Sequence, residues 1–209
     1  MYLPKHFAEE RLDVLHAALA AHPLGLLVTN GAGGLDANPV PFMVDPARGA
    51  FGTLRAHVAR ANPVWKEAGG EVLVMFQGPQ AYVSPGWYAS KAEHGKVVPT
   101  WNYIVVQARG VLRAFDDAVW LRDFVGTLTD RHEARRDTPW KVADAPDDFI
   151  AQTLRAIVGI EVELTALVGK WKVSQNRPAA DREGVVRGLE AIGDDTSRAM
   201  AEAVRGASA

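Results

Sequence analysis

Apolar positions recur along this chain with two periods. Leu12, Leu15 and Leu19 keep helical spacing between Pro4 and Pro23, which predicts an amphipathic helix over residues 8–21. Residues 24–29 (LGLLVT) read as a buried strand, and NGAGG after them as a hairpin turn. A phosphate loop is disfavoured there, because no GxGxxG is present and a strand follows. Residues 35–45 are extended, interrupted by Pro39 and Pro41, which argue for an edge, a bulge or a ligand-facing kink. A turn at 46–49 leads into a strand at 50–54.

Farther along, residues 55–65 read as a short helix opening near His57 and stopped by Asn62 and Pro63. Residues 71–77 are a strand with an apolar middle, and 100–115 a long strand with a bulge or bend at Gly110. Residues 118–133 read as a helix capped by Asp116 or Asp117, 146–154 as a shorter helix, and 157–169 as a last strand. From Pro178 onward the pattern is helical, broken at Gly193. Strands joined by turns come first, and helices gather at the ends and between the last strands. That order differs from an alternating βα pattern and predicts mainly antiparallel β with peripheral helices, most simply a Greek-key barrel.

Composition narrows the chemistry. The 209 residues suffice for one sizeable domain, with or without a helical appendix. Twenty-three Lys and Arg against 25 Asp and Glu leave a formal charge of -2, which supplies no global attraction to DNA or acidic lipid. No helix-turn-helix signature is visible, so DNA binding is motivated neither by charge nor by motif. Cysteine is absent, which excludes disulfides, thiolate metal sites and a cysteine nucleophile. His57, His94 and His132 are scattered without metal-ligand spacing, so no metal is expected. The start lacks a signal-peptide pattern and no stretch is long and apolar enough to span a bilayer; a cytoplasmic setting is the expectation.

Two segments carry candidate chemistry. Residues 77–103 hold three tyrosines, two tryptophans, two lysines and a histidine among Pro and Gly hinges. Rigid rings with polar tips suit either a flat, polar-edged ligand or an interface with aromatic anchors. GKWKVSQNR repeats that chemistry far along the chain, setting Lys170, Trp171, Lys172, Ser174, Gln175, Asn176 and Arg177 together. A third candidate is the cluster of Arg55, His57 and Arg60, either a phosphate receptor at a helix start or a solvated basic turn.

The blocks MYLPKHF, HPLGLLVT, LDANPVPF, GTLRAHVARANP, VLVMFQGPQAYVSPGWY, SKAEHGKVVPTWNY, LTDRHE, RAIVGIEVELT and GKWKVSQNRPAADREGV follow in order from Met1 to about Leu189. In these blocks the chain resembles the PaiB family of FMN-binding negative transcriptional regulators. The resemblance implies an FMN-binding split β-barrel over residues 1–189, with 190–209 as a helical tail. It also implies a homodimer with flavin in a groove at the interface. By position, it assigns the flavin ring edge and phosphate to Thr53, Leu54, Arg55, His57 and Arg60. Backbone contacts fall to Pro39, Val40 and Pro41, and a polar contact to Gln77. Trp101, Asn102, Tyr103, Lys170, Lys172, Ser174 and Gln175 would complete the groove. The function so implied is an FMN-binding regulator; the alternative is an FMN-dependent oxidoreductase of the flavin reductase or pyridoxamine phosphate oxidase type. A dimeric protein holding haem through His57 or His94 is a third reading.

Overall fold

The computed structural model describes residues 1–207, so Ser208 and Ala209 of the expected tail lie outside the described residues. In chain order the elements are β1 (Ala8–Glu9), α1 (Leu12–Ala21), β2 (Leu24–Gly31), β3 (Gly34–Pro41), β4 (Met43–Asp45), β5 (Thr53–Ala59) and β6 (Glu71–Val83). Then come α2 (Ser90–His94), β7 (Thr100–Phe115), α3 (Ala118–Glu133), α4 (Asp147–Arg155), β8 (Ile157–Lys172), α5 (Ala179–Ile192) and α6 (Asp195–Gly206). The strands hydrogen-bond in the order β3-β2-β6-β7-β8-β5-β4, with β1 added on β8. Pairing is antiparallel at β1–β8, β2–β3, β2–β6, β4–β5 and β5–β8. The sheet is not closed, and the expected fold class, antiparallel β of the split-barrel type with peripheral helices, holds.

Two compact units divide the chain, and β6, β7 and β8 contribute residues to both. One contains Met1–Ala18, Gln77–Gln107 and the residues from Val168 onward; the other contains Leu19–Phe76 and Ala108–Leu167. They are called the first and second unit below.

In the second unit, β2 and β3 pair from Leu24 opposite Pro41 to Gly31 opposite Gly34, a tight hairpin whose Gly34 takes a φ of 91°. Pro39 and Pro41 lie on β3, an end of the strand order, where a missing N–H interrupts no ladder on the outer side. Residues 55–59 correct the expectation of a helix. Leu54, Ala56 and Val58 are buried in alternation while Arg55 and His57 take the other face, so the segment is strand β5. The period of two outweighed the basic residues that suggested a helix start. A 3-10 turn at Pro63–Glu67 follows instead, capped by the Asn62 side chain. Asp117 caps α3 by accepting from the amides of Val119 (2.8 Å) and Trp120 (3.0 Å). Trp120 stacks between Phe115 and Phe124 at ring separations of 5.1 and 5.2 Å. Gly159 makes room for that indole, because a Cβ there would overlap it.

The first unit is built around Val83, Tyr88, Val173, Val185, Leu189, Met200 and Val204. Here α5 lies against the turn at Pro85–Trp87 through Gly184 and Gly188, where a Cβ would strike Trp87. Gly193, with φ 79°, ends α5, and Asp194 caps α6. Boundaries here differ from expectation, and β6 runs on to Val83 rather than ending at residue 77. Ala8 and Glu9 pair with Lys170 and Gly169 rather than starting the first helix. Strand β8 runs on to Lys172, so Lys170 and Lys172 belong to a strand and share one of its faces.

Candidate functional site

The sixteen residues singled out from the sequence divide evenly: Pro39, Val40, Pro41, Thr53, Leu54, Arg55, His57 and Arg60 in the second unit, the other eight in the first. The second unit spends its cations internally. Arg60 donates to both carboxylate oxygens of Asp116 (2.9 and 2.5 Å) and to the carbonyls of Arg155 (2.7 Å) and Ile157 (3.1 Å). Four of the roughly five guanidinium N–H donors are thereby engaged. These bonds also hold the Asp116 carboxyl below the usual carboxylate range.

Arg55 sits 3.2 Å by its Nε from Oε1 of Glu161, which also takes two hydrogen bonds from Arg48. Its guanidinium lies 5.0 Å from the Trp120 ring and 5.4 Å from Phe124. His57 meets Phe124 edge-on at 6.0 Å, and its Nδ1 is buried without a hydrogen-bond partner. Burial pushes the imidazole below its ordinary 6.5, which keeps it neutral. Because β5 is a strand, the helix-start amides expected for a phosphate are absent here. Thr53 donates its hydroxyl to the Arg48 carbonyl at 3.0 Å, Leu54 and Val40 are buried, and Pro39 and Pro41 are exposed.

The first unit gathers a different set. Strand alternation sends Trp101 and Tyr103 to one face of β7 and Asn102 to the other, as expected. Asn102, 1% exposed, donates its amide to the Ser174 hydroxyl at 2.9 Å. Ser174 adopts a φ of 64°, a left-handed conformation costly for a residue with a side chain. It turns the chain immediately after β8, and the Arg177 amide closes the turn on the Ser174 carbonyl at 3.0 Å. Gln175 locks the same turn, donating to the Trp171 carbonyl and accepting from the Val173 amide.

Lys170 and Lys172 place their ammonium groups 5.3 and 6.0 Å from the Tyr103 ring. Lys170 donates to the Tyr2 carbonyl at 3.0 Å, and Lys172 to the Thr100 hydroxyl and Trp101 carbonyl, both at 2.5 Å. Burial, then the charges of Lys170 and Arg177, push the Lys172 amine below its ordinary value. Arg177 covers the Tyr88 ring at 4.8 Å. Trp101, half exposed, meets Tyr82 edge-on at 6.2 Å and donates its indole N–H to Gln80. Gln77 is exposed.

The structure thus gathers Lys170 and Lys172 about Tyr103, pairs Asn102 with Ser174 on the opposite face of β7, and adds Tyr2, Arg177 and Tyr88, which the resemblance did not assign. Arg177 was legible as the last cation of GKWKVSQNR. Tyr88 was legible only as one of the three tyrosines of residues 77–103, and Tyr2 had no signal beyond being aromatic. Glu161, Trp120 and Phe124, which surround Arg55, were also missed; the only hint was a carboxylate inside the apolar run IVGIEVEL. Among the described residues no group of three or more His, Asp or Glu is arranged to hold a metal ion, and no helix is long and apolar enough to cross a membrane.

Residues 1–166 match the family described as "Putative FMN-binding domain". The chain is 29% identical to the protease synthase and sporulation protein PAI 2 of Bacillus subtilis, over 97% of this chain and 95% of that protein. It is 33% identical to an uncharacterized protein of Emericella nidulans, over 98% and 96%. Among solved structures, the flavocytochrome Anf3 of Azotobacter vinelandii superposes with a TM-score of 0.58 at 13% identity, covering 81% of this chain and 72% of that one. A FAD and heme binding protein of Mycobacterium smegmatis gives 0.57 at 16% identity, covering 78% and 71%. At such identities these two structures speak for the fold alone.

Proposed function

The chain belongs to the PaiB-like family of FMN-binding domains, and from that membership we propose that it is a flavin-binding regulatory protein working as a homodimer. The observation that carries the reading is the cationic and aromatic neighbourhood of Tyr103. Ring faces at Tyr103 and Trp101 suit a flat isoalloxazine, and Lys170 and Lys172 suit its phosphate. Ser174, Asn102 and Gln175 brace the turn that follows those cations at the end of β8. Pro39, Val40, Pro41, Thr53, Leu54, Arg55, His57, Arg60 and Gln77 remain the second set of proposed contacts. Bound FMN would supply redox chemistry of its ring, and the protein's part is binding, orientation and polar tuning.

Homodimerisation is supported by large apolar side chains left in solvent on the first unit, among them Trp101, Tyr82 and Val98. Regulation rests on the family likeness, and a charge of -2 favours an indirect route over direct operator binding.

The test is a visible absorption spectrum of the purified chain after FMN is added and the excess removed, with a mass measurement on the same sample. One flavin per chain in a particle of two chains is expected. A colourless protein that takes up no FMN sinks the cofactor reading, and a flavin-loaded monomer sinks the dimer. Bleaching of bound flavin by NADH or NADPH would move the function to an oxidoreductase. A gel shift with the chain's own upstream DNA separates direct from indirect regulation.

A further inference from the structure

We propose that Lys170, Lys172 and Arg177 form the receptor for a phosphate monoester, with the buried Tyr88 hydroxyl beside Arg177 as a further donor. The inference deepens the flavin reading and rests on it for one of two sources of that phosphate.

Charge balance carries the argument. Arg48 and Arg55 are neutralised by Glu161, and Arg60 by Asp116. None of Lys170, Lys172 and Arg177 has a comparable partner: among the described residues, no ion pair joins any of the three to a carboxylate. Asp181, the acid of this region, is engaged by the amide and hydroxyl of Ser90 at 2.9 and 2.8 Å. Lys170 is only 7% exposed, and its partners are a carbonyl and two tyrosine rings. Lys172 likewise meets only neutral oxygens and the Tyr103 ring. Like charges drawn together under partial burial repel, and the Lys172 amine is pushed below its ordinary value first by burial and then by the charges of Lys170 and Arg177. An arrangement of this kind is relieved when an anion sits among the cations.

Donor supply points the same way. Each ammonium has three N–H groups; Lys170 uses one and Lys172 two on protein oxygens, which leaves donors free on both. Arg177 stacks on Tyr88, whose hydroxyl is buried and lies close enough to Arg177 to feel its charge while making no hydrogen bond of good geometry among the described residues. The left-handed Ser174 turn, clamped by Asn102 and Gln175, holds Arg177 close to the end of β8. Three cations suit a dianion better than a single carboxylate, hence a phosphate monoester.

The phosphate is either that of the flavin itself or that of a separate phosphorylated small molecule. The test uses the full chain and the substitutions Lys172→Gln and Arg177→Met, each checked for a native melting profile. FMN and riboflavin affinities are read by flavin fluorescence, and inorganic phosphate is titrated by phosphorus NMR with and without saturating riboflavin. Loss of FMN affinity by roughly tenfold or more, with riboflavin unchanged, assigns the flavin's own phosphate. Loss of inorganic phosphate binding at unchanged FMN affinity assigns a separate phosphate ligand. Variants that bind FMN and phosphate as the parent does overturn the proposal. If the parent binds no flavin, the flavin reading fails by itself and the phosphate titration still decides this site. Lys170→Met is kept as a third variant, because its buried ammonium makes it the one most liable to misfold.

Discussion

Arg48 grips the buried carboxylate of Glu161 with two hydrogen bonds, 2.6 Å to Oε1 and 2.9 Å to Oε2. Glu161 is 2% exposed and also faces Arg55, so one acid inside the sheet compensates two guanidinium groups. Removing its charge leaves Arg55 beside Trp120 and Phe124 with only the exposed Asp123, 4.0 Å away, as a counter-ion. Glu161→Gln is therefore expected to cost about 3 kcal/mol, the low end for breaking a buried pair because Arg48 is half exposed. Urea unfolding measures it, and a midpoint equal to the parent's would mean that Arg55 does not depend on Glu161.

Glycine positions separate packing from helix propensity. Gly184→Ala would drive a methyl group into the Trp87 backbone carbonyl, which cannot swing aside as a side-chain tip can. A loss of roughly 1–3 kcal/mol is expected. Gly126→Ala, within α3 and with open space around it, should instead stabilise by up to about 1 kcal/mol. Thermal melts of the two variants should move in opposite directions.

His57 gives a pH dependence with a definite sign. Its folded pKa lies below 6.5, so below that pH the unfolded chain binds a proton that the folded chain refuses. Stability is expected to fall as pH drops from 6.5 toward the folded value, by at most about 1.4 kcal/mol per pH unit. His57→Gln should flatten this part of the profile, and an unchanged slope between pH 7 and 5 would clear His57 of the effect.

Arg60 reads as a structural tie. Its bonds to Asp116 and to the carbonyls of Arg155 and Ile157 connect β5 to the segment before α3 and to the junction of α4 and β8. Arg60→Ala is expected to lower the melting temperature only modestly, since the ion pair itself is largely solvated. FMN and riboflavin affinities, compared in the same variant, should shift together. A selective loss for FMN would return the phosphate to the second unit.

Period and punctuation by themselves determined most elements of this protein. The strand Thr100–Phe115 and the helix Ala118–Glu133 fall where the pattern places them, because each has a strong period and clear capping or turn residues. The motif blocks were sufficient for the family. Tertiary structure decided what local signals left open. At 55–59 a basic cluster resembled a helix start, yet burial of Leu54, Ala56 and Val58 between β4 and β8 made a strand. The pairing of Ala8 and Glu9 with β8 likewise depended on a partner more than 150 residues away.

Charge was decided at the same level. The sequence names Arg55, Arg60, Lys170, Lys172 and Arg177 as cations of equal standing. Only the fold shows that Glu161 and Asp116 neutralise the first two while the other three meet neutral oxygens and rings. Neutralisation depends on which carboxylate lies within a few ångströms, and that distance is set by chain reversals and strand register, which leave no mark in the local spacing of residues.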